Sequence, residues 1–377
     1  RVVPFDLKPG WPQPADPLDV NINGELADRI NTFLDRWGYA PRDQQLVAGF
    51  LSDCGYEVSA RYLLALAQLS RLMHYDFDLK VSMDAFIAKQ DKTSKYPGSI
   101  VGGNPLRTAQ IWGEGLTLTS FMAYHDISGD PRALDAACNL GDWYQYYLDN
   151  GDLTATDYFA GENKFSRVGG VVGHLGKGAP EGMMWLYWRT KDKKYLDIAK
   201  QMAELNRKWG SVAWMIHGDS WPNEHPEYED FHLHTAMTTI KGFPWLYAAT
   251  GDRSYLDDAI KACDRVFERS TWGTGQVQEQ TSWGHDAPIH DETCQTSDLL
   301  QLSYLCADFT GESRFYDRAE HLYYNGIRYL QTHDGDFMGY DSLPGPMRGS
   351  PWWYCCSPWG ARALYEVARH LYASSPT

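Results

Sequence analysis

Apolar residues recur along this chain with the spacing of helices. Leu26, Ile30, Phe33 and Leu34 fall at three- and four-residue steps, the stripe that one buried helix face requires. The same period returns in Leu196, Ile198, Ala199, Met202 and Leu205, then in Leu299, Leu300, Leu302, Leu305 and Phe309, and in Leu364, Val367 and Leu371. Strand-like alternation is scarce, and the Gly-rich stretches 98–103 and 168–178 read as loops. Residues 1–24 hold Pro4, Pro9, Pro12, Pro14 and Pro17 without periodicity, so they predict an extended surface arm. Residues 25–377 predict a single helical domain.

Between the helical stretches a turn repeats. It reads Ser128-Gly129-Asp130, Thr190-Lys191-Asp192, Thr250-Gly251-Asp252 and Thr310-Gly311-Glu312, its central positions 62, 60 and 60 residues apart. Glycine there is the expected left-handed helix stop. An aromatic-rich helix precedes each copy and an amphipathic one follows, so the unit is a helical hairpin of about 60 residues. The 377 residues hold about six such units. Six hairpins can close into a ring, which predicts an all-α fold: an α/α toroid, or six-hairpin barrel, of about twelve helices. An open solenoid would need polar capping repeats, whereas the C-terminal stretch is aromatic. In such a ring the loops at one end build the site.

Composition narrows the function. Hydrophobic residues make 43% and charged residues 22% of the chain, enough for a sizeable core. A net charge of -15 argues against nucleic acid and anionic membranes, which demand Lys and Arg. No apolar run reaches the ~18 residues of a membrane span. The chain opens at Arg1 with no basic-plus-apolar leader, so any signal peptide is expected to have been removed or never present. Of the 15 Trp and 24 Tyr, most are expected to fill the core and some to stack on sugar rings in a cleft.

Seven cysteines, an odd number, argue against a disulfide framework. Cys138 and Cys263 lie in helical patterns and read as small buried hydrophobes. Cys355 and Cys356 are different: they adjoin in an aromatic stretch running from Trp352 to Gly360. About one repeat earlier stands Glu292-Thr293-Cys294. Three thiols and a carboxylate form a ligand set that suits tetrahedral zinc. Both stretches precede helices, Ser357-Pro358 reading as an N-cap followed by a first-turn proline. The positive end of a helix dipole favours thiolate. One repeat apart, the two groups are expected on neighbouring hairpins at one end of the ring. Taken singly, an ordinary helix cap and a vicinal disulfide or inert thiol pair account for them as well.

Glu292-Thr293-Cys294, Cys355-Cys356 and Leu322-Tyr323-Tyr324-Asn325-Gly326 resemble glycoside hydrolase family 127, the β-L-arabinofuranosidase family. The resemblance runs over most of the chain, with Gly173-His174-Leu175 and the segment His232 to Met237 in the family's order. It implies a retaining hydrolase on an α/α barrel with a zinc-bound cysteine nucleophile. Cys355 would be that nucleophile, with Glu292, Cys294 and Cys356 completing the zinc site. Glu279 would be the acid/base, ahead of Asp286, Asp291 and Glu181. His232 and His174 would contact the sugar, and His234 is a further candidate. The partner implied is an oligosaccharide or glycoconjugate bearing a terminal furanose; oligomeric state is open.

The sequence also departs from the family. Ser357-Pro358-Trp359-Gly360 stands where a proline-plus-asparagine run is usual, and Trp112-Gly113-Glu114-Gly115 where a histidine-lysine step is usual. The family's C-terminal β-sandwich domains are expected to be missing, since the chain ends at Thr377. Trp112, Glu114, Trp352, Trp353 and Trp359 are expected to reshape the pocket. Two other readings keep the toroid: a metal-free uronyl hydrolase, lyase or epimerase, and a non-catalytic sugar-binding ring with structural zinc. Free thiols favour a reducing compartment but a zinc-held set persists outside one, so localisation stays open.

Overall fold

The structure, a computed structural model, describes residues 13–14, 16–38, 56–75, 78–90, 113–150, 175–208, 210–217, 233–271, 273–277, 292–339 and 355–374. Its helices are α1 (Glu25–Trp37), α2 (Tyr56–Met73), α3 (Lys80–Lys89), α4 (Glu114–Ser128), α5 (Pro131–Asn150), α6 (Ala179–Thr190), α7 (Lys193–Lys208) and α8 (Gly210–His217). They continue with α9 (Leu233–Ile240), α10 (Gly242–Thr250), α11 (Arg253–Ser270), α12 (Thr293–Thr310), α13 (Ser313–Leu322), α14 (Arg328–Leu330) and α15 (Cys356–His370). A π-helical turn, Tyr323–Ile327, joins α13 to α14.

These helices form two concentric layers. The inner ring runs α2, α4, α6, α9–α10, α12, α15, each packed on the next, and α15 returns against α2. Outside it α3, α5, α7, α11 and α13 each pack on an inner helix, and α1 packs on α2 and α15. Arg328 and Arg29 share the Glu25 carboxylate and close the outer layer. The fold is the expected all-α six-hairpin toroid. A short antiparallel pair, Gln13–Pro14 with Ala373–Ser374, joins the two ends of the described chain. Among the described residues no helix is long and apolar enough to cross a membrane.

The layers differ in composition because they differ in exposure. α7 buries Tyr195, Leu196, Ile198, Ala199, Met202 and Ala203 on one face and turns lysines and acids outward, as an outer helix must. α12 is buried along nearly its whole length, polar residues included. Packed by helices of both layers, it must find partners for its polar side chains inside the protein.

The repeated turn is a hydrogen-bond device. Gly129, Lys191, Gly251 and Gly311 all take left-handed backbone, with φ of 67, 61, 75 and 74°. Before each, a hydroxyl donates to the carbonyl four residues back, as Thr250 Oγ1 does to Leu246 at 2.7 Å. The same oxygen accepts the amide two residues on, from Asp252 at 3.1 Å. Asp252 then caps α11 by accepting from the Ser254 amide at 3.0 Å. Ser128, Thr190 and Thr310 repeat the pattern. His74, at φ 57°, holds the left-handed position after α2, where no glycine marked the turn.

A second repeat escaped the sequence reading. Thr271 bridges to Val277 and Gln331 to Phe337, each around a left-handed glycine, Gly275 or Gly335. These loops lead from the outer layer towards the starts of α12 and α15.

Lys191 occupies a position where a side chain is strained. Lys191→Gly is expected to raise stability by about 1 kcal/mol, and Gly251→Ala to lower it by about the same amount. Urea unfolding midpoints at unchanged slope check both.

Candidate metal centre

Local sequence sets the two helix starts. Glu292 occupies the N-cap position of α12 in extended backbone, φ -141°, and Cys294 lies in the first turn. α15 begins at Cys356 with Cys355 at its N-cap, earlier than the Ser357 cap read from the sequence. Ser357 is instead a first-turn bolt: its hydroxyl donates to Asp336 Oδ1 at 3.0 Å and accepts from the Phe337 amide at 3.0 Å. The two starts are also bolted to each other. Ser297 Oγ donates to the Trp359 carbonyl at 2.6 Å, and Trp359 Nε1 donates to Asp298 at 2.7 Å. Gly360 lies flat on the Phe337 ring, where a Cβ would come within 2.3 Å of ring carbons.

The four expected ligands converge. One donor atom each from Glu292, Cys294, Cys355 and Cys356 lies within 4.8 Å of every other. Cys294 Sγ is 3.7 Å from Cys356 Sγ, and Cys355 Sγ is 3.6 Å from it. Glu292 Oε1 is 3.5 Å from Cys355 Sγ and 3.3 Å from Cys356 Sγ. With zinc–sulfur bonds of ~2.3 Å and a zinc–oxygen bond of ~2.0 Å, a tetrahedral site has edges of about 3.8 Å between sulfurs and about 3.5 Å from sulfur to oxygen. The residues fit a zinc ion by donor type and by spacing. They do not form a disulfide. Cys294 and Cys356 are fully buried, while Cys355 is only partly so.

A charged shell surrounds the thiols. Arg61, on α2, donates to Cys294 Sγ at 3.4 Å and to Glu57, with its Nη2 2.7 Å from His234 Nε2. Lys177 Nζ reaches Glu57 at 2.7 Å. His234 Nδ1 is 2.5 Å from Asp298, which also takes Lys241 Nζ at 2.9 Å. Arginine only donates, so His234 Nε2 must accept and its proton sits on Nδ1. The Trp359 ring packs under Arg61, Lys241 and Arg362 at 4.8 to 4.9 Å.

These contacts shift the titrations. Burial alone would raise the Glu57 carboxyl, but Arg61 and Lys177 outweigh it and hold it at about 2. Burial pulls the Lys177 ammonium down to about 8, against the pull of Glu57. Hydrogen bonding with Cys294 and Cys356 draws the Cys355 thiol well below its ordinary value, and Arg61 and Lys177 add to this. Burial pushes the Cys294 and Cys356 thiols up.

The other candidates divide. Glu279, His232, His174, Trp112 and Trp353 lie outside the described residues, as do Trp352, Asp286 and Asp291. His234 is 1% exposed, and both ring nitrogens are engaged by Arg61 and Asp298. Glu114 is buried at the start of α4, where its charge adds to the effect of burial in raising the Tyr144 phenol. Glu181 pairs with Arg362 at 3.0 Å inside the ring. Trp359 is fully buried beneath the centre rather than shaping a pocket wall. Sequence reasoning missed Arg61, Glu57, Lys177, Asp298 and Lys241. The signal for Arg61 was a charge followed at once by Tyr62, Leu63, Leu64 and Ala65.

Asp298 is fully buried and neutralises what its neighbours bring. Asp298→Ala is expected to cost about 3–5 kcal/mol, because it strands Lys241 without its counter-charge. Chemical denaturation against Asp298→Asn, which keeps the shape and loses the charge, measures that share.

The comparisons bear on this arrangement. A family model described as the beta-L-arabinofuranosidase GH127 catalytic domain matches residues 103–369. Among solved structures, a GH127 beta-arabinofuranosidase is 16% identical with a TM-score of 0.71, over 97% of this chain and 63% of that one. The GH127 beta-L-arabinofuranosidase of Geobacillus stearothermophilus T6 is 17% identical with a TM-score of 0.62, over 94% and 66%. A sugar epimerase from a ruminal bacterium is 11% identical with a TM-score of 0.56, over 92% and 98%. At these identities the likeness is one of fold, and the chain spans less than two thirds of the two GH127 structures. No curated protein matches. With the family model covering well over half of its length, including both thiol-bearing helix starts, the chain belongs to the GH127 beta-L-arabinofuranosidase catalytic-domain family.

Proposed function

We propose that this chain is a retaining glycoside hydrolase with zinc held by Glu292, Cys294, Cys355 and Cys356, and with Cys355 as nucleophile. Its substrate in this reading is a glycan ending in a furanose, β-L-arabinofuranoside or a related sugar. The observation that carries the reading is that four of the six distances among the donors match tetrahedral edges, all six lie within 4.8 Å, and Cys355 is not fully buried. Membership of the family supports it.

Zinc, when bound, keeps the thiols deprotonated at neutral pH and makes the nucleophilic sulfur a better leaving group. Cys355 Sγ attacks the anomeric carbon; a C–S bond forms as the glycosidic C–O bond breaks, and Glu279 gives its proton to the departing oxygen. Glu279 then takes a proton from water, whose oxygen forms the new C–O bond while the C–S pair returns to sulfur. Two inversions give retention, which needs nucleophile and acid/base roughly 5 Å apart. His232, His174, Trp112 and Trp353 hold the sugar in this reading. Glu114 shapes the site from the start of α4, and His234 acts on the sugar only through Arg61.

Metal analysis is expected to find one zinc per chain. Cleavage of an aryl β-L-arabinofuranoside should stop on chelation and return with zinc. Cys355→Ser should lose at least about 1,000-fold in kcat while circular dichroism stays native. Turnover that survives both treatments rules the thiol out as nucleophile, and a folded variant with lost stability alone would assign the zinc a structural role. Glu279→Gln should slow alkyl glycosides by about 100- to 10,000-fold and activated aryl glycosides far less.

A further inference from the structure

Three thiolates would share one zinc, yet the proposed chemistry needs one of them to react and two to stay as ligands. Exposure separates Cys355 from the others. Among the described residues a second difference concerns Cys294, whose Sγ receives a charged N–H: Arg61 Nη1 stands 3.4 Å away. We propose that Arg61 is a positioning residue that fixes Cys294 as a ligand by drawing electron density from its sulfur, leaving Cys355 the more electron-rich thiolate. The inference rests on the zinc–thiolate reading above.

Arg61 is held by several of its donors. Nε donates to Glu57 at 2.8 Å, and Nη2 reaches Glu57 as well as His234 Nε2 at 2.7 Å. The guanidinium face lies 4.8 Å over the Trp359 ring. A planar fork with three kinds of partner has one orientation, which lysine cannot reproduce. The chain of contacts then closes on itself. Forced to accept from Arg61, His234 donates from Nδ1 to Asp298 Oδ2 at 2.5 Å. Asp298 lies four residues after Cys294, one turn along α12, and receives Trp359 Nε1 from α15 at 2.7 Å. The position of the donor on Cys294 is therefore set by the helix that carries Cys294 and by the helix that carries Cys356. Outer-shell donors of this kind tune the metal they do not touch, and their loss typically lowers affinity about 10- to 100-fold.

The test reads the metal and not the sugar. The full chain, stripped and reloaded with cobalt(II), should show one equivalent bound and an intense sulfur-to-cobalt charge-transfer band. In Arg61→Met, which keeps the length and apolar contact with Trp359, that band should move to lower energy. Zinc affinity, measured against a chelating dye, should fall about 10- to 100-fold. Arg61→Lys should not restore the band, since it returns the charge without the fork. If Arg61→Met proves unstable, His234→Asn serves: it keeps Arg61 and removes its acceptor, so a smaller shift of the same sign is expected. An unmoved band and unchanged zinc affinity in either variant, with one metal bound, overturns the assignment of Arg61 alone. Failure of the wild-type chain to bind cobalt or zinc overturns the zinc reading, and this inference with it.

Discussion

The Asp298 carboxylate accepts from His234, Lys241 and Trp359 at 2.5 to 2.9 Å, in a place where none of these side chains is more than slightly exposed. Taking a carboxylate and an ammonium out of water costs several kcal/mol per ion, recovered only when geometry and hydrogen bonds are nearly complete. That condition makes the cluster a constraint rather than an ornament. It is satisfied only if α9, α12 and α15 stand in one relative position. With them so placed, the first turns of α12 and α15 meet, and their thiols come within a tetrahedron's edge of each other. The four donors thus inherit their spacing from a polar contact one turn deeper in the ring.

The repeat accounts for the ring but not for this meeting. α12 ends at Thr310 and α15 at His370, 60 residues later, in step with the turns. Their starts, Thr293 and Cys356, are 63 apart. Cys355 and Cys356 therefore sit deeper in their hairpin than Cys294 does in its own, and the donors are not copies of one another. The sequence spacing placed both groups at the same end of the ring, which holds. Their convergence on one point comes from the shorter α15 and from Gly360, which lets its backbone lie against the Phe337 ring.

What was legible follows the range of the interactions involved. The toroid could be read because each turn is closed by hydrogen bonds among residues at most four apart, and those favour Ser or Thr, then a left-handed residue, then an acidic one, Asp in three copies and Glu312 in the fourth. Lys191 and His74 break the glycine rule and show its cost falling on the backbone alone. The convergence of these donors could be read because three thiols and a carboxylate stand at two helix starts about one repeat apart. The shell could not. Arg61 and Cys294 are 233 residues apart, and Lys177 and Glu57 are 120 apart. Nothing in a local pattern pairs them. Trp359 misled for the same reason: a tryptophan beside the cysteines looks like a pocket wall until three cations are found packed on its ring.

Those cations raise the question of what a helical ring gains by carrying them inside. Three thiolates and a carboxylate around a divalent ion leave a surplus of two negative charges. Arg61 touches Cys294 directly, and the charge of Cys355 helps to hold Arg61 up and opposes the burial that pulls Lys177 down. Glu57 holds both cations from the other side, and one carboxylate between two cations leaves a net positive charge facing the sulfurs. Before an ion binds, burial keeps two of the three thiols protonated, so loading the site must release protons. In the proposed loaded state the cations would lower the cost of that release by standing where the negative charge gathers. In the proposed zinc-loaded state the thiolates and the cations would balance one another across this shell. Arg61 comes from α2, which packs on α15, and Lys177 from the segment just before α6, so the positive charge behind the thiols is supplied by parts of the ring other than the two helices that carry them.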